Sequence, residues 1–132
     1  MRLQVPPNCD LTLGLRCVDK SQPGCTIWEM WADERFANPG GVIQGGFLSA
    51  MMDSAMGASA VTSLEGRKAR VANAEMKVSF IKSAVVGSLL TCTAKVVESG
   101  RTVIFVMGEI RDERDRLIAT GSSTYIVSER SD

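Results

Sequence analysis

The chain has 132 residues, with 15 Lys plus Arg set against 15 Asp plus Glu, and no histidine. That length predicts a single domain, 1–132, able to bury a core, and the balanced charge gives no field to draw in nucleic acid or an anionic membrane. Without histidine, Ser-His-Asp and Cys-His catalysis are excluded and zinc loses its commonest ligand, so chemistry falls to carboxylates, amides and backbone groups.

The N-terminal MRLQVPPNCD has no apolar stretch of signal-peptide length, and no segment reaches the ~18 apolar residues of a membrane span; a cytoplasmic soluble protein is expected. Leu11, Leu13, Leu15 and Cys17 alternate with Thr12, Gly14, Arg16 and Val18, which predicts a first strand. Gln22-Pro23-Gly24 signals a turn, a second strand is expected from Cys25 to Ala32, and Asp33 to Gly41 has loop chemistry. From about Gly45 to Leu64 apolar residues cover nearly every face, the pattern of a helix buried all round.

After Arg67-Lys68-Ala69-Arg70 the period returns to two, first through Met76, Val78 and Phe80, then through Leu90, Cys92, Ala94 and Val96. Val103, Phe105 and Met107 continue it beyond a Ser99-Gly100 turn, and Leu117 to Val127 follow a charged turn at Asp112 to Asp115. Short connections predict these strands as successive antiparallel neighbours in a meander. Cys9, Cys17, Cys25 and Cys92 form no CxxC pair and read as small apolar filler. One helix cannot cover both faces of a six-stranded sheet, and a helix apolar all round needs further cover; both point to a dimer or larger assembly.

Asp53 is the one charge between Arg35 and Glu65, with Ser49, Ala50, Met56 and Gly57 one turn away and no cation at helical spacing. A buried, unpaired carboxylate costs several kcal/mol unless it faces a cavity or accepts hydrogen bonds. The small neighbours leave room for a ligand; a wet helix face, a cap on another helix or a distant arginine are the structural alternatives. Gly45 and Gly46 fall where the first helical N–H groups lack intrahelical acceptors. Bare donors at a positive helix end can form an oxyanion hole, although close backbone packing also calls for glycine. No Lys-Ser/Thr follows, so this is not a phosphate-binding P-loop. Gln44 and Asp53 are nine residues apart, about 13.5 Å of helical rise and half a revolution. If both serve one substrate they come from two chains with antiparallel helices.

Asn38-Pro39, the glycine pair after Gln44, and Asp53-Ser54-Ala55-Met56-Gly57 resemble the hotdog-fold acyl-CoA thioesterases, in particular the phenylacetate-degradation (PaaI-like) branch. The KVSFIKSA strand, the VVESGRTV hairpin and the closing ATGSSTYIV extend the resemblance over most of the chain. It implies an α+β hotdog fold, a long central helix wrapped by a curved antiparallel sheet in the order β-β-α-β-β-β-β, assembled as a homodimer and often a homotetramer. It also implies an acyl-CoA substrate, hydrolysed with no metal or organic cofactor and with no nucleic-acid or membrane partner.

By position, the resemblance makes Asp53 the catalytic carboxylate, acting as general base or nucleophile. The Gly45 N–H, with Gly46 beside it, would polarise the thioester carbonyl, and the Asn38 amide would position substrate or water. Two positions depart from the family. Gln44 stands where histidine is usual, and Asn73 where a serine or threonine opens the strand after the helix. Gln44 can donate a hydrogen bond but not a proton, which a thiolate hardly needs, since a thiol has a reference pKa of ~8.5. Asn73 can orient water as a hydroxyl would. Met52 and Met56 are candidates to line an acyl chain, or else core. Lys82, Arg101 and the Arg67-Lys68-Arg70 cluster are candidates for the CoA phosphates, or else solvated surface. The alternative is a non-catalytic acyl-CoA or small-ligand binding hotdog protein, with Gln44 marking lost chemistry.

Overall fold

A computed structural model describes residues 5–130; residues 1–4, part of the N-terminal stretch read above, and 131–132 lie outside the described residues. In chain order the elements are α1 (Asn8–Leu13), β1 (Arg16–Gln22), β2 (Cys25–Trp31), a 3-10 turn (Glu34–Phe36), α2 (Gly45–Thr62), β3 (Ala69–Phe80), β4 (Leu89–Ser99), β5 (Val103–Arg111) and β6 (Leu117–Glu129). The six strands form one antiparallel sheet in the spatial order β1-β2-β4-β5-β6-β3. Helix α2 lies across one face of it, which is the α+β hotdog arrangement expected from the sequence.

Period-two burial sets that face. Leu90, Cys92 and Ala94 of β4 and Ile104, Val106 and Ile110 of β5 point inward and are fully buried. They meet Leu48, Met51, Met52, Ala55, Met56, Ser59 and Ala60, spaced three and four apart along α2. Gly108 and Gly121 pair across β5 and β6 and form a notch under Met52. A Cβ on Gly108 would stand 2.9 Å from Met52 Sδ, and one on Gly121 would stand 3.2 Å from Met52 Cγ. Deeper along the helix, the Thr26 and Ser59 hydroxyls lie 2.7 Å apart, with the carbonyls of Ala55 and Ala94 as acceptors beside them, so these two buried hydroxyls have partners.

The structure corrects the sequence reading in four places. The alternation at Leu11 to Leu15 is not strand. Pro7 leads into α1, Gly14 ends it at φ 70°, and the Leu15 N–H returns to the Asp10 carbonyl, so Leu13 and Leu15 are buried from either side of a helix end. Nor do the last four strands form a simple meander, because β3 pairs only with β6 and is a sheet edge. Residues 81–88 carry the chain past the start of α2, where the Ile43 N–H bonds the Ala84 carbonyl and Val42 bridges Val85, before β4 pairs with β2. Helix α2 is not buried all round within the chain: Asp53 is exposed and Val61 is 54% exposed. Finally, Cys92 is buried filler, its thiol pushed up to about 12 by burial and then by the Glu109 charge, whereas Cys9 and Cys17 are exposed. Among the described residues no helix is long and apolar enough to cross a membrane.

Candidate functional site

Asp53 stands at the middle of α2 on the side turned away from the sheet's centre, and β3 reaches it. Asn73 pairs with Tyr125 and Glu75 with Thr124, so Ala74 is an extra residue, a bulge that re-aims the local side chains. Asn73 Nδ2 donates to Asp53 Oδ1 at 3.0 Å, and the buried Ser123 hydroxyl lies 2.8 Å from Asn73 Oδ1 and 2.9 Å from the Glu75 carbonyl. A carboxylate only accepts, so it takes the NH2 end of the amide, and the carbonyl end is left for the serine. Asp53 Oδ2 accepts no bond among the described residues. The Tyr125 hydroxyl donates to the Asp53 main-chain carbonyl at 3.3 Å. Burial, followed by the Asp53 charge, pushes that phenol up to about 12, so it stays protonated.

The other candidates gather at the start of α2. Phe36 and Phe47 stack with centroids 4.4 Å apart, and the Gln44 N–H bonds the Phe36 carbonyl, which fixes the loop where it enters the helix. Asn38 Oδ1 accepts the Gly40 N–H at 2.9 Å, leaving Nδ2 as the end without a bond among the described residues. Gln44 is the N-cap, but its side chain makes no capping bond, and no acidic residue lies in the first turn. The Gly45 and Gly46 N–H groups therefore have no helical acceptor. A Cβ on Gly45 would lie 2.7 Å from Phe80 Cζ, so any side chain there must push that exposed ring aside, whereas glycine leaves the donors bare.

These two groups open onto different pockets. Gly45, Ile43, Leu48, Phe80 and Lys82 line one of 320 Å³. Asp53 borders another of 550 Å³, between α1 and α2. Within one chain the structure thus joins Asp53 to Asn73 and Gly45 to Lys82, but does not join the two sets, and Gln44 lines neither pocket. Arg101 lines neither pocket and sits in the β4–β5 turn, at the opposite end of β4 from the connection carrying Lys82; its carbonyl accepts from Arg67, which also pairs with Glu129. Met52 and Met56 are corrected to core. Both are fully buried against the glycine notch, Met52 also against Cys92, and neither lines either of these pockets.

Ser123 and Tyr125 escaped the sequence reading. Their inward parity in GSSTYIV was legible, but nothing local indicated that β6 pairs with β3, which brings them under Asp53.

Residues 40–119 match the model of the thioesterase superfamily. Human acyl-coenzyme A thioesterase 13 is 27% identical over 118 residues, covering 89% of this chain and 83% of that protein. Among solved structures, the phenylacetic acid degradation-related protein of Ralstonia eutropha JMP134 is 30% identical, with a TM-score of 0.84 over 94% of this chain and 92% of that one. The E. coli PaaI protein of the phenylacetic acid degradation operon has a TM-score of 0.85 over 92% of this chain and 84% of its own; at 18% identity that likeness is one of fold.

Proposed function

The chain belongs to the thioesterase superfamily, and from that premise we propose that it hydrolyses acyl-CoA thioesters at a site completed by two copies of itself. The observation that carries this reading is the Ser123–Asn73–Asp53 chain of hydrogen bonds, which pins one carboxylate oxygen and leaves the other for water. In the proposed reaction Oδ2 of Asp53 takes a proton as water attacks the thioester carbon. The charge that develops on the carbonyl oxygen meets the Gly45 and Gly46 N–H groups of the second copy, with the Asn38 amide beside them. Collapse expels the CoA thiolate and leaves a carboxylic acid. A thiolate is a good enough leaving group that Gln44 need not supply a proton.

The separate pockets of Gly45 and Asp53 support the shared site, as does their spacing along one helix. The edge position of β3 supports pairing of copies, since a long unpaired edge is a template for another strand. Phe80, Ile81 and Val85, each more than half exposed, extend that surface to the helix start. Thiol release from a panel of acyl-CoA esters tests the reading: turnover by the wild type, and its collapse in Asp53→Asn, is the expected result. Equal rates in both proteins, or binding of the esters without turnover, would overturn it.

A further inference from the structure

The groove beside Asp53 is not used by the chemistry above. It is bounded by α1 on one side, by the outer stripe Asp53, Gly57, Ala58 and Val61 of α2 on the other, and by Trp28 of β2. A hydrogen bond of 2.8 Å from Ser54 Oγ to the buried Asp10 carboxylate ties the two helices together at the Asp53 end. Val61 lies eight residues beyond Asp53, about 12 Å of helical rise. The groove's 550 Å³ falls within the range of small-molecule sites.

Resting on the thioesterase reading, we propose that this groove holds the acyl group, and that its shape selects an extended aliphatic chain over a two-carbon one. Three features argue for that occupant. The walls beyond Asp10 and Asp53 are mostly apolar, with Pro7, Trp28, Ala58 and Val61 among them. The lining carries two carboxylates, Asp10 and Asp53, against one cation, Lys20, a balance unfavourable to the several anionic phosphates of CoA, so the nucleotide part lies elsewhere. The groove also begins at Asp53, so a chain laid along it places its thioester carbon beside the pinned carboxylate. Ala58 keeps the helix wall low, and a large side chain there would fill the channel.

Two measurements test this on the intact protein. First, kcat/KM for acetyl-CoA and decanoyl-CoA is compared between wild type and Ala58→Phe. The wild type prefers decanoyl-CoA, and the variant loses at least about 10-fold more on that ester than on acetyl-CoA. Loss on both esters alike, or on neither, would overturn the proposal, as would a change of oligomeric state in Ala58→Phe on size-exclusion chromatography, which would make the groove a contact between chains. Second, Trp31→Phe leaves Trp28 as the one indole, and 1-octanol, which needs no CoA site, is titrated while emission is followed. A saturable shift that Ala58→Phe abolishes is expected, and constant emission would overturn the proposal. If the wild type hydrolyses neither ester yet octanol shifts Trp28, the thioesterase reading fails and the groove stands as an aliphatic-ligand site. Turnover without chain-length discrimination means the converse: the enzyme stands and the groove does not hold the acyl chain.

Discussion

Helix α2 carries both halves of the proposed site, and they are built in opposite ways. Around Asp53 the chain uses side chains from three elements, with Asn73 of β3 and Ser123 of β6 holding one carboxylate oxygen. At Gly45 and Gly46 it uses no side chains, and the donors stand on bare backbone behind a Gln44 that caps nothing. The contrast has a physical origin. A carboxylate on a rotatable side chain has to be pinned to be useful, whereas N–H groups fixed by a helix need only be left uncovered. The carboxylate half should therefore be sensitive to distant supporting residues, and the donor half to backbone chemistry alone.

The largest effect expected is that of Asp53→Asn, which removes the base and lowers kcat by roughly 10²–10⁴-fold. Because Asp53 is exposed and Asn can keep its place, the thermal midpoint should hardly move; a variant both inactive and unfolded would leave the pinned carboxylate as a stability feature. Next is Gly45→Pro. Proline is tolerated at the first helical position, and Gln44 at ψ 137° is already in the extended conformation a following proline requires. The ring meets Phe80, whose side chain is 54% exposed and can yield. With one N–H removed, kcat should fall roughly 10²-fold. Mixing the two inactive variants then tests whether the halves come from different chains. Random exchange of subunits should restore roughly a quarter of wild-type activity, since half the dimers keep one intact site. No recovery would place both halves on one chain.

Asn73→Ala is expected to lower kcat by about 10- to 100-fold, the worth of a hydrogen bond to a charged group. Ser123→Ala should follow in the same direction by less, because the amide keeps its place but not its orientation. Steady-state assays on both variants sharpen the contrast: if neither matters while Gly45→Pro does, the carboxylate half needs no support.

The same division governs what the sequence revealed. Helix α2, the strand pattern and the Asp53 and Gly45 positions were legible because periodicity and charge are local signals. Asn73 was legible only as a departure from a family motif; its grip on Asp53 depends on the Ala74 bulge and on β3 lying beside β6. Ser123 and Tyr125 depend on that pairing too, and a crossover through residues 81–88 leaves no mark in short-range alternation. Leu13 and Leu15 misled for the converse reason, since a helix end with a left-handed glycine reproduces the spacing of a strand. Met52 and Met56 were ambiguous in sequence because α2 is apolar on both sides, and only the glycine notch of β5 and β6 decides which side faces the sheet.

The smallest effect on turnover is expected at a carboxylate as firmly held as Asp53 but outside the site. Asp112, 7% exposed in the β5–β6 turn, accepts the Arg114 and Arg116 N–H groups at 3.0 Å each and the Arg116 guanidinium at 2.8 Å. Burial alone would raise its pKa, but those donors together outweigh it and hold the carboxyl below the usual range. A folded-state pKa below the unfolded value of about 3.9 means that the ionised group stabilises the fold above that pH, and that the contribution disappears as pH falls through the folded value. Asp112→Asn should therefore unfold at a lower temperature than wild type at pH 7, with the gap closing as the pH drops below about 4. At neutral pH its kcat should match wild type, because the turn belongs to neither half of the site. Thermal melts across that range, set beside initial rates, separate a carboxylate that holds the chain from one that does its chemistry; a fall in kcat with Asp112→Asn would mean the two are not independent.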